Sequence, residues 1–167
     1  MEDNAKAELP PPLPAMLEEA KRWEGTPHRN RMAKPGVGVD CLHLLRALAV
    51  AAEWLPPFQF PYYDPTWGIG RKSNVISRVI LRCCHARALA ATEPLATGDV
   101  AIWAVGRQSN HCGIVIAGDV WHAQAGRLVC GEPITEEMRA RFETVLRIEA
   151  PGFHRRPETL TIDDFKA

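Results

Sequence analysis

The sequence predicts an α+β fold, with helices in the first half of the chain and an antiparallel sheet in the second. Three observations carry this. Apolar residues recur at helical spacing at Met16, Leu17, Ala20 and Trp23, and again at Leu42, Leu45, Leu48, Ala49 and Ala52. From Gly98 onward the period changes to short β-rich runs divided by turn residues. Helices followed by strands, rather than alternating with them, is an α+β order.

Residues 1–14 are polar and then proline-rich (Pro10-Pro11-Pro12-Leu13-Pro14), which predicts an extended arm. The spacing of Met16, Leu17, Ala20 and Trp23 predicts a short amphipathic helix over 15–24, stopped by Gly25-Thr26-Pro27. A loop leads to a second helix, capped by Asp40 and running to about Glu53. The stretch from Leu55 to Gly68 holds too many prolines for regular structure, and long aromatic loops of this kind often carry function. Ser73 or Asn74 can cap a helix through Val75, Ile76, Val79, Ile80 and Cys83. Strands are expected at Val100–Trp103, Cys112–Ile116, Val120–His122, Arg127–Cys130 and Thr144–Ile148, with Gly118-Asp119 as a two-residue hairpin turn. Residues 15–150 form the predicted domain, and 151–167 are expected to be a polar surface tail.

The composition narrows the function. A chain of 167 residues, 46% hydrophobic and 24% charged, suits one globular domain with a real core. A net charge of zero, with no long basic cluster, offers nothing to nucleic acid. The acidic N-terminus, Met1-Glu2-Asp3-Asn4-Ala5, has no apolar segment behind it, so neither a signal peptide nor membrane insertion is expected, and the chain is expected to be made in the cytoplasm and to stay soluble. Five cysteines without regular spacing predict free thiols. No C-x-x-C pair occurs, and the adjacent Cys83 and Cys84 cannot easily ligate one tetrahedral ion, so no metal or cofactor is expected.

Within that frame Cys41 stands out. It follows Gly36-Val37-Gly38-Val39-Asp40 and falls in the first turn of the helix that Asp40 caps. Free backbone N–H groups and the helix dipole stabilise a thiolate there, and cysteines so placed can have pKa values of roughly 3.5–7.5. By itself the position also suits a small buried hydrophobe.

A thiolate nucleophile needs a base, and the base needs an orienting partner. Of six histidines, His43 is nearest to Cys41, but i and i+2 point to different helix faces, and its replacement is expected to be close to neutral. His85 and His154 lie beside arginines and suit a solvated surface, whereas His28 lies in the loop before the cysteine helix, where it could line a cleft. His111 and His122 begin and end a hairpin and share a face. A Gly118-Asp119 turn would put His122 opposite a residue four positions from His111, roughly 13 Å along the strand, so a bulge or strong twist would be required.

Taken together, these segments resemble the NlpC superfamily of papain-like cysteine peptidases that cut bacterial cell-wall peptides. Trp23-Glu24-Gly25-Thr26-Pro27-His28 resembles its opening segment, and Gly38-Val39-Asp40-Cys41 its nucleophile motif. Thr97-Gly98-Asp99-Val100-Ala101-Ile102-Trp103 resembles its first strand, His111-Cys112-Gly113-Ile114-Val115-Ile116 its histidine strand, and Val120-Trp121-His122-Ala123 the strand of its third polar residue. The Gly-Thr-Pro opening and the Gly-Val-Gly-x-Asp-Cys run are similar to the branch found in phage tails and gene transfer agents.

The resemblance implies a triad of Cys41 as nucleophile, His111 as base and acid, and His122 orienting His111, with the Cys41 N–H in the oxyanion hole. The implied substrate is a peptidoglycan stem peptide, cut between D-glutamate and the diamino acid. The implied partners are tail hub or tail-tip proteins of a virion. His28, Asp40, Tyr62, Tyr63 and Trp67 are expected to border the substrate cleft. In two places the chain departs from the pattern: His28 stands where the family has a tyrosine, and His43 where it has a glycine. Two other functions fit the same pattern: a catalytically silent plug or adaptor in a tail tip, and a papain-like acyltransferase or amidase for a small substrate.

Overall fold

The computed structural model describes residues 8–64, 75–106 and 108–165. Helix α1, Ala15–Trp23, buries Met16, Ala20 and Trp23, while Lys21 and Arg22 in its last turn suit the negative end of the helix dipole. The arm before it is tied down at its end: Trp54 Nε1 donates to Pro10 O at 2.7 Å, and Leu9 packs against the buried cluster to which Met16, Ala20 and Trp54 belong. A small antiparallel pair, β1 (Ala33–Lys34) and β2 (Gly38–Val39), then delivers the chain to α2, Cys41–Ala51, where Leu42, Leu44, Leu48 and Ala49 are buried. Helix α3, Val75–Cys83, buries five of its nine residues along one stripe. Its expected cap at Ser73 or Asn74 lies outside the described residues, as do Trp67 and residues 1–7 and 166–167.

Strand β3, Cys84–Ala88, follows α3 without a loop. Its sequence, Cys-His-Ala-Arg-Ala, has no β-branched residue and gave no strand signal; pairing with a longer neighbour decides its conformation. The other strands are β4 (Val100–Val105), β5 (Gln108–Ile116), β6 (Asp119–His122), β7 (Cys130–Pro133) and β8 (Thr144–Phe153). Between β7 and β8 lies α4, Glu136–Arg141. Among the described residues these strands form one six-stranded antiparallel sheet in the order β3-β8-β4-β5-β6-β7. The helices α1 to α3 pack on the face that carries Val100, Ile102, Cys112, Ile114 and Ile116. The opposite face, with Ala101, Trp103, Val120 and Val145, is covered around Met138 of α4.

Four expectations are corrected. The β5–β6 turn is Ala117-Gly118, not Gly118-Asp119: Ile116 pairs with Asp119, and both turn residues have positive φ, at 50° and 90°. Such a pair is the hairpin turn whose twist matches the strands it joins. The strand expected at Arg127–Cys130 begins at Cys130 and runs through Gly131 and Pro133; it is an edge strand, where the missing N–H of proline is tolerated. Helix α4 was not expected, although Thr135 caps it by accepting from Met138 N at 3.1 Å and Glu136 and Glu137 fill its first turn. Lastly, residues 151–165 are not a surface tail: Leu160 and Phe165 are buried in the core beside α3. Asp164 anchors this segment by accepting from Arg82 Nη1 at 2.6 Å and from Thr161 N at 2.7 Å. Two apolar residues spaced among charges leave no periodic trace in sequence. Among the described residues no helix is long and apolar enough to cross a membrane.

Candidate active site

Helix α2 starts at Cys41 because Asp40 holds an extended backbone and accepts from His43 N at 2.9 Å. The Asp40 carboxylate does more than cap. Its Oδ1 also accepts from His43 Nδ1 at 2.8 Å, and its Oδ2 accepts from Arg31 N at 2.7 Å and from the Tyr63 hydroxyl. Tyr63 Oη lies 3.0 Å from His43 Nδ1, and Phe60 packs edge-on to the His43 ring. Burial works to raise the Asp40 pKa, but hydrogen bonds and charge from His43, joined by Tyr63, outweigh it and hold the carboxyl below its ordinary range. Tyr63 moves the opposite way: burial, then the neighbouring Asp40 charge, push its phenol far up, so it remains a donor. A clamp of Asp40, His43 and Tyr63 thus pins the aromatic loop to the start of the cysteine helix.

His43 points into this clamp rather than at the thiol, and its side chain is only 11% exposed. The expected direction, away from Cys41, is observed; what the sequence did not show is the structural role of the ring in the clamp. His43→Ala keeps the backbone N–H that caps the helix but removes the Nδ1–H donor from the buried Asp40, and is expected to lower stability by about 1–3 kcal/mol, read as a drop in the urea midpoint at unchanged m-value.

The Cys41 thiol is half-buried and lies within hydrogen-bonding reach of Cys112 and His111. Its pKa is driven well below that of a free cysteine, first by the hydrogen bond from Cys112 and then by the hydrogen bond and charge of His111, against burial and the Asp40 charge. The Cys112 thiol shifts upward, because it donates to Cys41 and sits fully buried. The helix terminus and His111 favour negative charge on Cys41 rather than on Cys112, which suits Cys112 as the donor of the pair.

Behind His111 runs a relay. His111 Nε2 lies 2.9 Å from His122 Nδ1, and His122 Nε2 lies 3.1 Å from Glu132 Oε2. Arg127 Nη2 closes the line, 2.5 Å from Glu132 Oε1. The observed register brings the two histidines together without a bulge. His122 pairs with Gly113, two positions from His111, not with Val115. A side chain at 113 would not fit: a Cβ there would fall 2.7 Å from Val120 Cγ2 and 3.1 Å from His122 Cβ. Trp103, paired with His111 across β4 and β5, sets both rings from one side, with centroid distances of 4.6 Å to His111 and 5.2 Å to His122.

Burial, with the charge of His111 second, lowers the His122 pKa to about 4, against the opposing pull of Glu132. An unfolded chain would protonate this residue near 6.5, and the folded chain only near 4. The unfolded state therefore binds more protons between those values, so stability falls as pH drops from 6.5 to 4. The His122 share of that loss is about 3 kcal/mol. Chemical denaturation across this range should show a shallower slope in His122→Gln.

The structure thus gathers Cys41, His111 and His122 at one point, and Asp40 and Tyr63 at an adjoining one. Asp40 and Tyr63 are 5% and 3% exposed, whereas Tyr62 is 64% exposed, with the Arg31 guanidinium 4.5 Å from its ring centre. His28 is half-buried and bridges to Val39, just before the nucleophile. His85 and His154 are exposed and pack edge-on against each other. Glu132, Arg127 and the donor role of Cys112 escaped the sequence reading. Glu132 was visible only through register: it pairs with Val120 and so shares a face with His122. Among the described residues no group of three or more histidine, cysteine or carboxylate side chains could hold a metal ion.

No family model matches the sequence, and no curated protein matches it. The fold does have solved counterparts. The chain is similar to a lipoprotein-like protein of the NLP/P60 family from Staphylococcus aureus subsp. aureus Mu50, with a TM-score of 0.52 at 15% identity. That match covers 88% of this chain and 45% of the staphylococcal one, so this chain spans less than half of that protein. It is also similar to the NlpC/p60 domain of the peptidoglycan hydrolase SagA, at 17% identity and a TM-score of 0.49, over 80% of this chain and 97% of that one. The architecture is the papain-like α+β arrangement of NlpC/P60 domains, with helices packed on an antiparallel sheet.

Proposed function

We propose that this protein is a cysteine peptidase that hydrolyses an amide bond of peptidoglycan stem peptides through an acyl-enzyme on Cys41. The observation that carries the reading is the line Cys41, His111, His122, ending on Glu132, with a thiol held below its ordinary pKa at its head. His122 occupies Nε2 of His111, which leaves Nδ1 as the ring nitrogen for the thiol. In the first half-reaction Cys41 Sγ attacks the carbonyl carbon, and the negative charge on the carbonyl oxygen is met by the Cys41 N–H at the free end of α2. Collapse of that intermediate breaks the C–N bond, and His111 gives its proton to the departing amine. Water, deprotonated by His111, then releases the acid and restores the thiol.

The bond between D-glutamate and the diamino acid, and a place in a phage-like tail beside hub or tip proteins, are further parts of this proposal. Their support is the resemblance of Gly25-Thr26-Pro27 and Gly36-Val37-Gly38-Val39-Asp40-Cys41 to the phage and gene-transfer-agent branch. Tyr62, with Arg31 against it, and His28 are proposed to border the cleft, while the buried Asp40 and Tyr63 hold that border in place. A silent plug would need no depressed thiol and no aligned histidines. The test is digestion of purified peptidoglycan with the products identified by mass spectrometry. Fragments carrying a new amino terminus on the diamino acid are expected; intact stem peptides after prolonged incubation would overturn the reading.

A further inference from the structure

We infer that Glu132, held by Arg127, is a positioning residue that selects the tautomer of His122 and thereby aims the basic nitrogen of His111 at Cys41. The kinetic side of this inference rests on the proposed peptidase reading; its structural side does not.

The logic follows from which atoms face each other. A neutral imidazole carries one N–H and one lone pair, and which nitrogen holds the hydrogen is set by the bond the other makes. His122 has a ring nitrogen on each of two neighbours: Nε2 faces Glu132 Oε2 at 3.1 Å and Nδ1 faces His111 Nε2 at 2.9 Å. An ionised carboxylate only accepts, so Glu132 requires the hydrogen of His122 on Nε2. Nδ1 of His122 is then an acceptor, and it draws the hydrogen of His111 to Nε2. The remaining nitrogen of His111, Nδ1, is left with its lone pair free to take the Cys41 proton. With the other His122 tautomer, two N–H groups or two lone pairs would meet along this line, or His111 would carry its hydrogen on the nitrogen that must act as base.

The surroundings keep the selector in the required charge state. Arg127 Nη2 lies 2.5 Å from the second oxygen of Glu132. Although burial works against ionisation, hydrogen bonds and charge from His122 and Arg127 hold the Glu132 carboxyl below its ordinary range. His122 stays neutral down to about pH 4. The charged or titratable groups around the relay, among the described residues, include His111 on β5, Glu132 and Cys130 on β7, Cys130 being the cross-strand partner of His122, Arg127 in the preceding loop, and, beyond His111, the Cys41, Cys112 and Asp40 cluster. Trp103 flanks both rings with apolar surface and offers His122 no competing acceptor.

The experiment is long-range proton–nitrogen NMR of the histidine rings in the full chain at pH 7, paired with the rate of Cys41 alkylation by iodoacetamide. In the native protein His122 should appear as the Nε2–H form, and His111 should hold a hydrogen on Nε2, with its second hydrogen on Nδ1 when Cys41 is the thiolate. In Glu132→Ala, His122 should lose that form or mix the two, and Cys41 alkylation at pH 7 should slow by about 10- to 100-fold, by analogy with removal of the partner that orients a metal-bound histidine. Glu132→Gln keeps an oxygen that can accept from Nε2–H, and it should recover most of the rate and the native tautomer. An unchanged His122 tautomer in Glu132→Ala would overturn the inference, whatever the rates. A protein that fails to cut peptidoglycan yet shows the tautomer change would instead remove the peptidase reading and leave this inference standing.

Discussion

Replacing Cys41 by alanine is expected to lower peptide hydrolysis by more than about 10³-fold, the order of loss when a nucleophile is removed from a catalytic triad. The fold should survive. Asp40 keeps its helix cap and its bonds to Arg31, His43 and Tyr63, none of which involves the thiol. Leu42, Leu44 and Leu48 keep the buried face of α2. The change removes one sulfur from a half-buried site, so the stability change should stay within about 1 kcal/mol. Turnover and thermal melting measured on the same preparation separate the two effects. A variant that melts normally and still cleaves would place the chemistry elsewhere.

Replacing His111 by alanine should lose nearly as much activity as Cys41→Ala, and the double variant should be no worse than either single one, because nucleophile and base act as a unit. The pH dependence of Cys41 alkylation carries a finer expectation. His111 contributes a hydrogen bond and charge to the lowered thiol, so His111→Ala should move the profile to higher pH. It should not reach the free-cysteine value, because Cys112 supplies the largest lowering effect and the helix terminus remains. Cys112→Ala should therefore move the same profile upward while His111 is intact. A profile moved by His43→Ala and not by His111→Ala would contradict the arrangement.

Much of this site was legible in the sequence because its parts are local. A glycine-rich approach, an N-capping Asp40 and an apolar helix behind it place Cys41 without tertiary information, and the observed helix starts at that residue. The two histidines were legible as neighbours on one face, but not as partners. Their contact depends on whether the turn is Ala117-Gly118 or Gly118-Asp119, and Ala117 is a poor advertisement for a positive φ. That choice moves His122 from opposite Val115 to opposite Gly113, and removes the need for a bulge.

What lay hidden depends on strands with no propensity of their own. β3 and β7 form because neighbouring strands offer them hydrogen bonds, and only β7 brings Glu132 beneath His122. The place of His43 in the clamp was missed for a related reason. Helix geometry alone says that it faces away from the thiol, but the acceptor it meets, Asp40, lies on its own helix cap, and the second partner, Tyr63, arrives from a loop with no regular structure.

The most direct test of the central claim is to trap the acyl-enzyme. Native protein mixed with a stem peptide and quenched in acid within the first turnovers should gain the mass of the amino-terminal fragment of that peptide, and digestion should locate the added mass on the segment containing Cys41. The account predicts this adduct in the native protein, its absence in Cys41→Ala, and its disappearance on longer incubation as water completes the reaction. Cleavage of the peptide with no adduct at any time, at a rate that Cys41→Ala leaves unchanged, would contradict it.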